Sequence, residues 1–298
     1  MTFSIESKRW DVSVFVRKIN NNFVFGSLIA ITSCLMLLSS ASIKAHEMWI
    51  EPVNYSVKLG DKILANEIVG QGFKGNKYAY LDSSFDKLDI TVRNRTQEIK
   101  SRLGDLPAVQ EDTSEEGLHI ITAETPYSEL VYETAEKFAN FLNEDGLEWV
   151  FAAHKKRGLP EKGFTEIYRR NPKALVKVGH GKGQDKALGL SLEWVAETNP
   201  YTSQGNIKAQ LLWQGAPAAN MHVNVFNRLK RTSDKSELIK TSLRTDDNGR
   251  VEIPRAKGGI FLINSVKMIQ PDAKVGMETE AVWESIWGSL TYEILLDN

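Results

Sequence analysis

Short segments in which apolar and polar residues alternate fill the chain from Glu51 to about Val131. Examples are Y-S-V-K-L-G-D, L-D-I-T-V-R-N-R and L-H-I-I-T-A-E-T, with Gly, Asp and Asn between them. Successive side chains of a β-strand point to opposite faces of a sheet, so this alternation predicts half-buried strands. The pattern predicts a small β-sandwich as a first domain, residues 46–131.

The hydrophobic period changes after residue 132. Between Glu133 and Gly158 apolar residues recur every three or four positions, which predicts a helix that ends at Gly158, ahead of Pro160. The residues of this apolar face are Phe138, Phe141, Leu142, Leu147, Val150 and Phe151. Thr165–Arg170 is predicted as a second short helix that stops ahead of Pro172.

A glycine-rich segment, G-H-G-K-G-Q-D-K-A-L-G, occupies Gly179–Gly189. Its glycines lack the spacing of a phosphate-binding loop, and no helix pattern follows whose N-terminus would hold an anion. We therefore expect a flexible connector. Together with the helices and the strand A-L-V-K-V, it forms a bridge over residues 132–189.

From Leu190 onward, about seven short alternating segments are separated by turn signals such as the Asn-Gly of T-D-D-N-G-R. Several short strands at this spacing are typical of a β-sandwich. The sequence thus predicts an all-β dominated chain with two β-sandwich domains, residues 46–131 and 190–298, and a helical insertion between them.

The apolar run from Phe23 to Ala41 follows basic residues and precedes small ones, which is typical of a secretory signal peptide. This layout predicts residues 1–45 as a leader that is cleaved after Ala45. The mature protein would then be periplasmic and have no membrane span. Two alternatives stay open: an uncleaved membrane anchor, and lipidation at Cys34 within I-T-S-C.

The only cysteine of the chain, Cys34, lies in that leader, so the mature chain would have no disulfide and no thiolate metal site. Removing the leader's five basic and two acidic residues from 37 and 38 leaves 32 and 36, a net charge of −4. No long basic run occurs. Nucleic acid and anionic membranes are therefore poor candidate partners.

Cleavage after Ala45 would make His46 the first residue and give it a free amine beside its imidazole. Both nitrogens lose their protons readily near neutral pH, so together they can chelate Ni²⁺, Co²⁺ or Cu²⁺. Further ligands are needed, and the predicted metal ligands are His46, His119, His180 and His222. His154 and Glu47 are weaker candidates.

Each histidine also has an ordinary structural explanation. For His46 the alternative is a docked first strand, for His119 a cross-strand position, and for His180 simple loop exposure. His222 fits partial burial at a strand start, and His154 a solvated helix end. No H-x-x-x-H or H-x-H pair supports a metal site.

Enzyme signatures are missing from the sequence. It has no G-x-S-x-G, and in H-E-M-W-I the residue Ile50 stands where H-E-x-x-H needs its second histidine. We therefore predict a non-enzymatic protein. A hydrolase with two facing acids stays an open alternative, and Trp283 and Trp287 are predicted to fill a core rather than to stack on a sugar.

Four longer motifs are H-E-M-W-I-E-P, L-G-L-S-L-E-W-V-A-E-T-N-P-Y, T-D-D-N-G-R-V-E-I-P and W-E-S-I-W-G-S-L-T-Y-E-I. With these motifs the chain resembles the DUF4198 family, whose exported members are often labelled periplasmic components of nickel or cobalt transport systems. The resemblance implies a mature chain that starts near His46, and sandwich domains of immunoglobulin-like or transthyretin-like form. One departure is Lys267, at a position where family members often carry histidine.

We therefore expect an exported periplasmic protein that binds Ni, Co or Cu as its cofactor or cargo. Its partner would be a membrane component of metal transport. The alternative is a metal-free β-sandwich module that binds an envelope protein or a glycan.

Overall fold

The computed structural model describes residues 46–229, 237–255 and 258–295. The predicted leader, residues 1–45 with Cys34, lies outside the described residues. The helices in the described part of the chain are α1 (Ala135–Glu144), α2 (Trp149–Lys156) and α3 (Ala273–Thr279), besides a short 3₁₀ turn at Asp82–Ser84. None of the helices within these ranges is long and apolar enough to cross a membrane.

Strands make up most of the regular structure. In chain order they are β1 (Glu47–Pro52), β2 (Ser56–Val57), β3 (Lys62–Gln71), β4 (Lys74–Tyr78), β5 (Lys87–Val92), β6 (Arg95–Glu98), β7 (Val109–Asp112), β8 (Gly117–Glu124), β9 (Ser128–Tyr132), β10 (Phe164–Val178), β11 (Leu192–Ala196), β12 (Ile207–Trp213), β13 (Ala216–Pro217), β14 (His222–Leu229), β15 (Glu237–Arg244), β16 (Arg250–Ile253), β17 (Gly259–Ile269) and β18 (Ala281–Ile294).

These strands form three sheets. The central sheet has the order β15-β14-β17-β18-β10-β8-β5-β6, with β2 and β9 also paired to β10. The N-terminal sheet contains β1, β3, β4 and β7, and the C-terminal sheet contains β11, β12, β13 and β16. Strands β10 and β18 pair in parallel over ten residues, whereas their other long neighbours are antiparallel.

Both faces of the central sheet are covered. On one face Ile121 and Val176 pack with Ile50 and Ile63 of the N-terminal sheet. On the other face Ile120 packs in a core cluster with residues of the C-terminal sheet, including Leu211 and Ile253. Strand β8 is therefore buried on both faces, which explains its nearly continuous apolar run L-H-I-I-T-A.

The prediction of a mostly β chain is confirmed. The central sheet takes β5 and β8 from the first predicted domain range and β14, β17 and β18 from the last. The domain boundaries at 46–131, 132–189 and 190–298, and the sandwich type, stay predictions.

The prediction of a helix at Thr165–Arg170 is wrong, because these residues belong to β10. The polar side chain of Glu166 alternates with apolar Ile167 along this strand, and pairing with β9 and β18 fixes the extended form. Pro172 lies in a gap between two pairings of β10. The pairing with β9 ends at Tyr168, and the pairing with β8 begins at Leu175. A residue without an N–H group is tolerated at such a gap in the ladder.

The predicted long helix is divided in two by Gly146. This residue has φ 65°, and left-handed backbone of this kind ends an α-helix. Leu147 N–H closes the turn by donating 2.7 Å to the carbonyl of Leu142. Five of the six residues of the predicted apolar face pack against β10, β17 and β18, together with the buried Trp283 and Trp287 as expected for the two tryptophans, whereas Phe151 is exposed.

The segment Gly179–Gly189 is irregular, as predicted, but it is not a loose connector. Asn199 donates from Nδ2 to the carbonyls of Gly181, at 3.0 Å, and Gly183, at 2.8 Å. Asp185 within the loop is fully buried and bonded to the buried Lys173. These ties fix the loop against β10 and against the segment that follows β11.

Candidate functional site

His119 is a buried residue in the middle of the central sheet. It lies on β8 between Val92 of β5 and Val176 of β10, and its side chain is buried. Burial lowers the pKa of its imidazole, because removal from water disfavours the charged ring. The cross-strand explanation of His119 therefore fits better than a metal ligand.

His46 and His180 lie in different surroundings. The carbonyl of His46, just ahead of β1, accepts a 2.8 Å hydrogen bond from Nε of Arg170. His180 is exposed in the glycine-rich loop, where its Nε2 lies 3.5 Å from Oε2 of Glu116. Its Nδ1 accepts a 2.9 Å bond from the backbone N–H of Lys182.

The structure does not bring the four predicted ligands together. His119 bonds to Gly117, His180 contacts Glu116, and His222 bonds to Asn224. Within residues 46–229, 237–255 and 258–295, no group of three or more His, Cys, Asp and Glu side chains is arranged to hold a metal ion. The side chains present therefore do not form the predicted four-histidine site.

His222 lines a cleft of about 460 Å³ between the α1–α2 turn and strands β14 and β17, called here the α1–α2 cleft. The residues that line it include Glu148, Trp149, His222, Arg244, Lys267 and Met268. A volume of this size is typical of small-molecule sites.

The charge of the cleft is positive. Arg244 and Lys267 contribute two cations and Glu148 one carboxylate, while His222 adds an imidazole ring. Arg244 is held at the wall because its Nη1 donates 2.8 Å to the carbonyl of Asn220. A second hollow of about 470 Å³ shares Arg244 but has no aromatic side chain in its wall, so it is the weaker candidate.

Trp149 supplies an aromatic surface at the rim. It is 54% exposed, unusual for so large an apolar side chain. Its ring meets the buried Trp283 edge to face at 6.3 Å, and Trp283 in turn donates a 2.9 Å hydrogen bond from Nε1 to Nδ1 of His154. The contact with the buried, hydrogen-bonded Trp283 thus holds the exposed ring of Trp149 in place.

His154 is therefore not the solvated helix end that the sequence led us to expect. Its side chain is buried, its Nδ1 accepts from Trp283, and its Nε2 lies 2.9 Å from the carbonyl of Pro160. The carbonyl can only accept, so Nε2 carries the proton and donates. Both ring nitrogens are occupied by hydrogen bonds, which leaves neither for a metal ion.

A buried polar network extends from the cleft to the start of β1. His222 Nε2 lies 3.2 Å from Oδ1 of Asn224, and Asn224 donates from Nδ2 to Oδ1 of Asp145 at 3.1 Å. Burial, and then the nearby carboxyl of Glu47, raise the pKa of Asp145 well above its usual range. Burial also raises the pKa of Glu47 to about 7.

Only part of this site is predictable from the sequence. His222 and Lys267 stand out there, whereas Trp149, Arg244 and Asp145 do not. A signal for Asp145 was present, since Gly146 interrupts the helical period directly after it. No local pattern connects Trp149 with Arg244, because they meet only in the folded chain.

A family model described as "Domain of unknown function (DUF4198)" matches residues 43–268, as the motifs led us to expect. Among curated proteins, no sequence matches the chain.

Two solved structures align with most of the chain. Escherichia coli alpha-2-macroglobulin activated by porcine elastase is 12% identical, over 85% of this chain and 20% of that one, with a TM-score of 0.23. The chain thus spans about a fifth of the length of that protein. A DUF3823 family protein from Bacteroides uniformis is 12% identical, over 84% of this chain and 100% of that one, with a TM-score of 0.20.

Proposed function

The chain belongs to the DUF4198 family, and from this premise we propose that it is an exported, non-enzymatic protein that binds a small organic anion in the α1–α2 cleft. The leader pattern of residues 1–45 supports export. The observation that carries the proposal is that Arg244, Lys267 and the exposed Trp149 line one cavity of about 460 Å³.

The chemistry of these side chains defines the ligand class. A guanidinium fixed at the wall offers paired donors that match a carboxylate or phosphate, and Lys267 adds a second positive charge. The exposed face of Trp149 and the side chain of Met268 favour a planar or apolar body. The ligand is therefore an acid with an apolar part, such as an aromatic carboxylate.

Titration calorimetry with benzoate tests this proposal, with benzamide as the uncharged probe of the same shape. We expect benzoate to bind more tightly than benzamide. Arg244→Gln and Lys267→Gln should each weaken benzoate binding about tenfold, the loss expected for one charge-assisted hydrogen bond.

Lys208→Gln is the matched control, because Lys208 is an exposed cation of the second hollow and lies outside the α1–α2 cleft. It should leave benzoate binding unchanged. Equal affinity for benzoate and benzamide, or equal effects of the cleft variants and of Lys208→Gln, would contradict the proposal.

A divalent transition ion bound at the processed N-terminus is a second candidate function. The observation that favours it is the pair of buried carboxyls, Glu47 and Asp145, whose mutual repulsion contributes to the raised pKa of Asp145. Glu47 directly follows His46, so a cation near the freed amine and imidazole would relieve this repulsion. Ni²⁺, Co²⁺ or Cu²⁺ would be a cargo exchanged with a membrane transport component.

Titration with Ni²⁺, Co²⁺ and Cu²⁺ distinguishes the two candidate functions. Two forms are compared: the processed protein, and a form with one extra residue ahead of His46. An extra residue converts the amine into a peptide nitrogen but leaves the α1–α2 cleft intact. Tighter metal binding by the processed form supports the second candidate, and equal affinity rejects it. Benzoate binding should be the same in both forms.

A further inference from the structure

Lys173 is enclosed in the interior with two carboxyl groups. Its Nζ lies 3.1 Å from Oδ1 of Asp185 and 2.7 Å from Oε1 of Glu193. The side chains of Lys173 and Asp185 are fully buried, and that of Glu193 is 2% exposed. Lysine and acidic residues are almost never buried so completely unless they are paired, and here one amine is paired with two carboxyl groups.

Backbone groups fix both carboxyls around the amine. Asp185 accepts 2.7 Å from the N–H of Ala196 on Oδ2 and 2.8 Å from the N–H of Lys186 on Oδ1. Glu193 accepts on Oε1 from Leu188 N–H at 2.8 Å and on Oε2 from Gly189 N–H at 3.0 Å. The amine is thus held in contact with one oxygen of each carboxyl group, and such positioning of reacting groups lowers the entropic cost of a reaction between them.

Burial disfavours the ionised form of Asp185. Desolvation raises the pKa of Asp185, and Lys173 is the first of the groups that oppose the rise. Transfer of the ammonium proton inside the cluster produces a neutral amine beside a carboxyl group, away from solvent. An amine and an acid condense more readily where water is excluded, because water drives the reverse reaction.

We propose that Lys173 and Asp185 join in an intramolecular amide bond, with Glu193 as the proton carrier. Glu193 takes a proton from the Lys173 ammonium, and the freed Nζ attacks Cγ of Asp185. The Nζ–Cγ bond forms and the Cγ–Oδ1 bond breaks. Oδ1 leaves as water with two protons from Nζ, so Glu193 ends as it began.

The hydrogen bonds of Asp185 also indicate the roles of its second oxygen and of the Ala196 N–H group in the reaction. Oδ2 stays as the amide oxygen, and the N–H of Ala196 stabilises the negative charge that develops on it during attack. The bond would join β10 to the loop Gly179–Gly189 across twelve positions of sequence. It is a self-modification in the fold, distinct from ligand binding in the α1–α2 cleft.

Mass spectrometry of the folded, processed protein tests the proposal. We expect a mass lower than that of the unmodified chain by one water molecule. Trypsin should release residues 171–177 joined to residues 183–186, with no cleavage after Lys173. An unmodified mass, with normal cleavage after Lys173, would overturn the proposal.

Three variants sharpen the test. Asp185→Asn should give a product of the same mass as the wild-type product, since ammonia leaves in place of water. Glu193→Gln should abolish the joined peptides, and a folded Glu193→Gln protein that still contains them would overturn the role of Glu193. Lys182→Arg, a change of an exposed lysine in the same loop, should leave the bond intact.

Discussion

The indole Nε1 of Trp283 donates a 2.9 Å hydrogen bond to Nδ1 of His154, and this bond ties α2 to β18 in the interior. Phe138 and Phe164 contact the imidazole ring from the same cluster, at 5.2 Å and 4.6 Å between ring centres. A histidine in a helix end that looks solvent-facing in sequence is therefore a central contact of this core.

Replacement of His154 by phenylalanine should destabilise the protein by about 1–3 kcal/mol. The new ring keeps the aromatic contacts but removes the bond to the Pro160 carbonyl and leaves the Trp283 N–H without its partner in the interior. Urea unfolding measures the loss. Trp283→Phe should lower the free energy of unfolding less in the His154→Phe protein than in the wild type, because the N–H group that it removes is already unpaired. If the two losses of stability are additive, the hydrogen bond does not contribute.

Gly146 keeps space for His222. It has φ 65°, and a Cβ placed there would lie 2.6 Å from Nδ1 of His222. Gly146→Ala should therefore displace the imidazole and weaken benzoate binding in the α1–α2 cleft. Gly158→Ala is the matched control, since Gly158 has φ 66° and open space around its Cβ position.

Both glycine variants should lose about 1 kcal/mol of stability from left-handed backbone strain. Only Gly146→Ala should also change calorimetric benzoate binding. If the two variants bind benzoate alike, His222 has no effect on the cleft.

Glu166 should make the protein less stable as pH rises. It is fully buried, accepts hydrogen bonds from Tyr132 and Ser285, and has its pKa raised from 4.5 to about 7 by burial. The folded state therefore holds a proton that the unfolded state releases. Stability from this group is complete below pH 4.5 and is lost as pH rises through about 7.

Glu166→Gln removes this titration, so its stability relative to wild type should increase from pH 5 to pH 8, by on the order of 3 kcal/mol at most. Urea unfolding across this range measures the difference. Glu129→Gln, which removes an exposed carboxylate of neighbouring β9, controls for loss of charge. A constant difference between Glu166→Gln and wild type at every pH would rule out the linkage.

Asn199 should hold the glycine-rich loop in place. Its Nδ2 bonds to the carbonyls of Gly181 and Gly183, and its Oδ1 accepts 2.9 Å from Tyr201 N–H. Asn199→Ala should lower the free energy of unfolding by about 1–3 kcal/mol and should make tryptic cleavage after Lys182 faster. Ser203→Ala removes only an exposed turn contact and should change stability by less than about 0.5 kcal/mol.

The sequence by itself determined where most strands and the apolar helix face lie. Alternation of polar and apolar residues reports which side chains point to a core, and this information is local. It failed at Thr165–Arg170, where a following proline indicated a helix end, because the strand form there depends on pairing with β9 and β18.

Only the tertiary structure decided which residues share a site. The parallel pairing of β10 with β18 joins segments that are far apart in the chain, and no local period encodes such a partner. The same packing turns His154 inward, separates His119 from His222, and collects Trp149, Arg244 and Lys267 around one cleft. Periodicity specifies the face on which a side chain lies, whereas the distance between two side chains depends on how the faces pack.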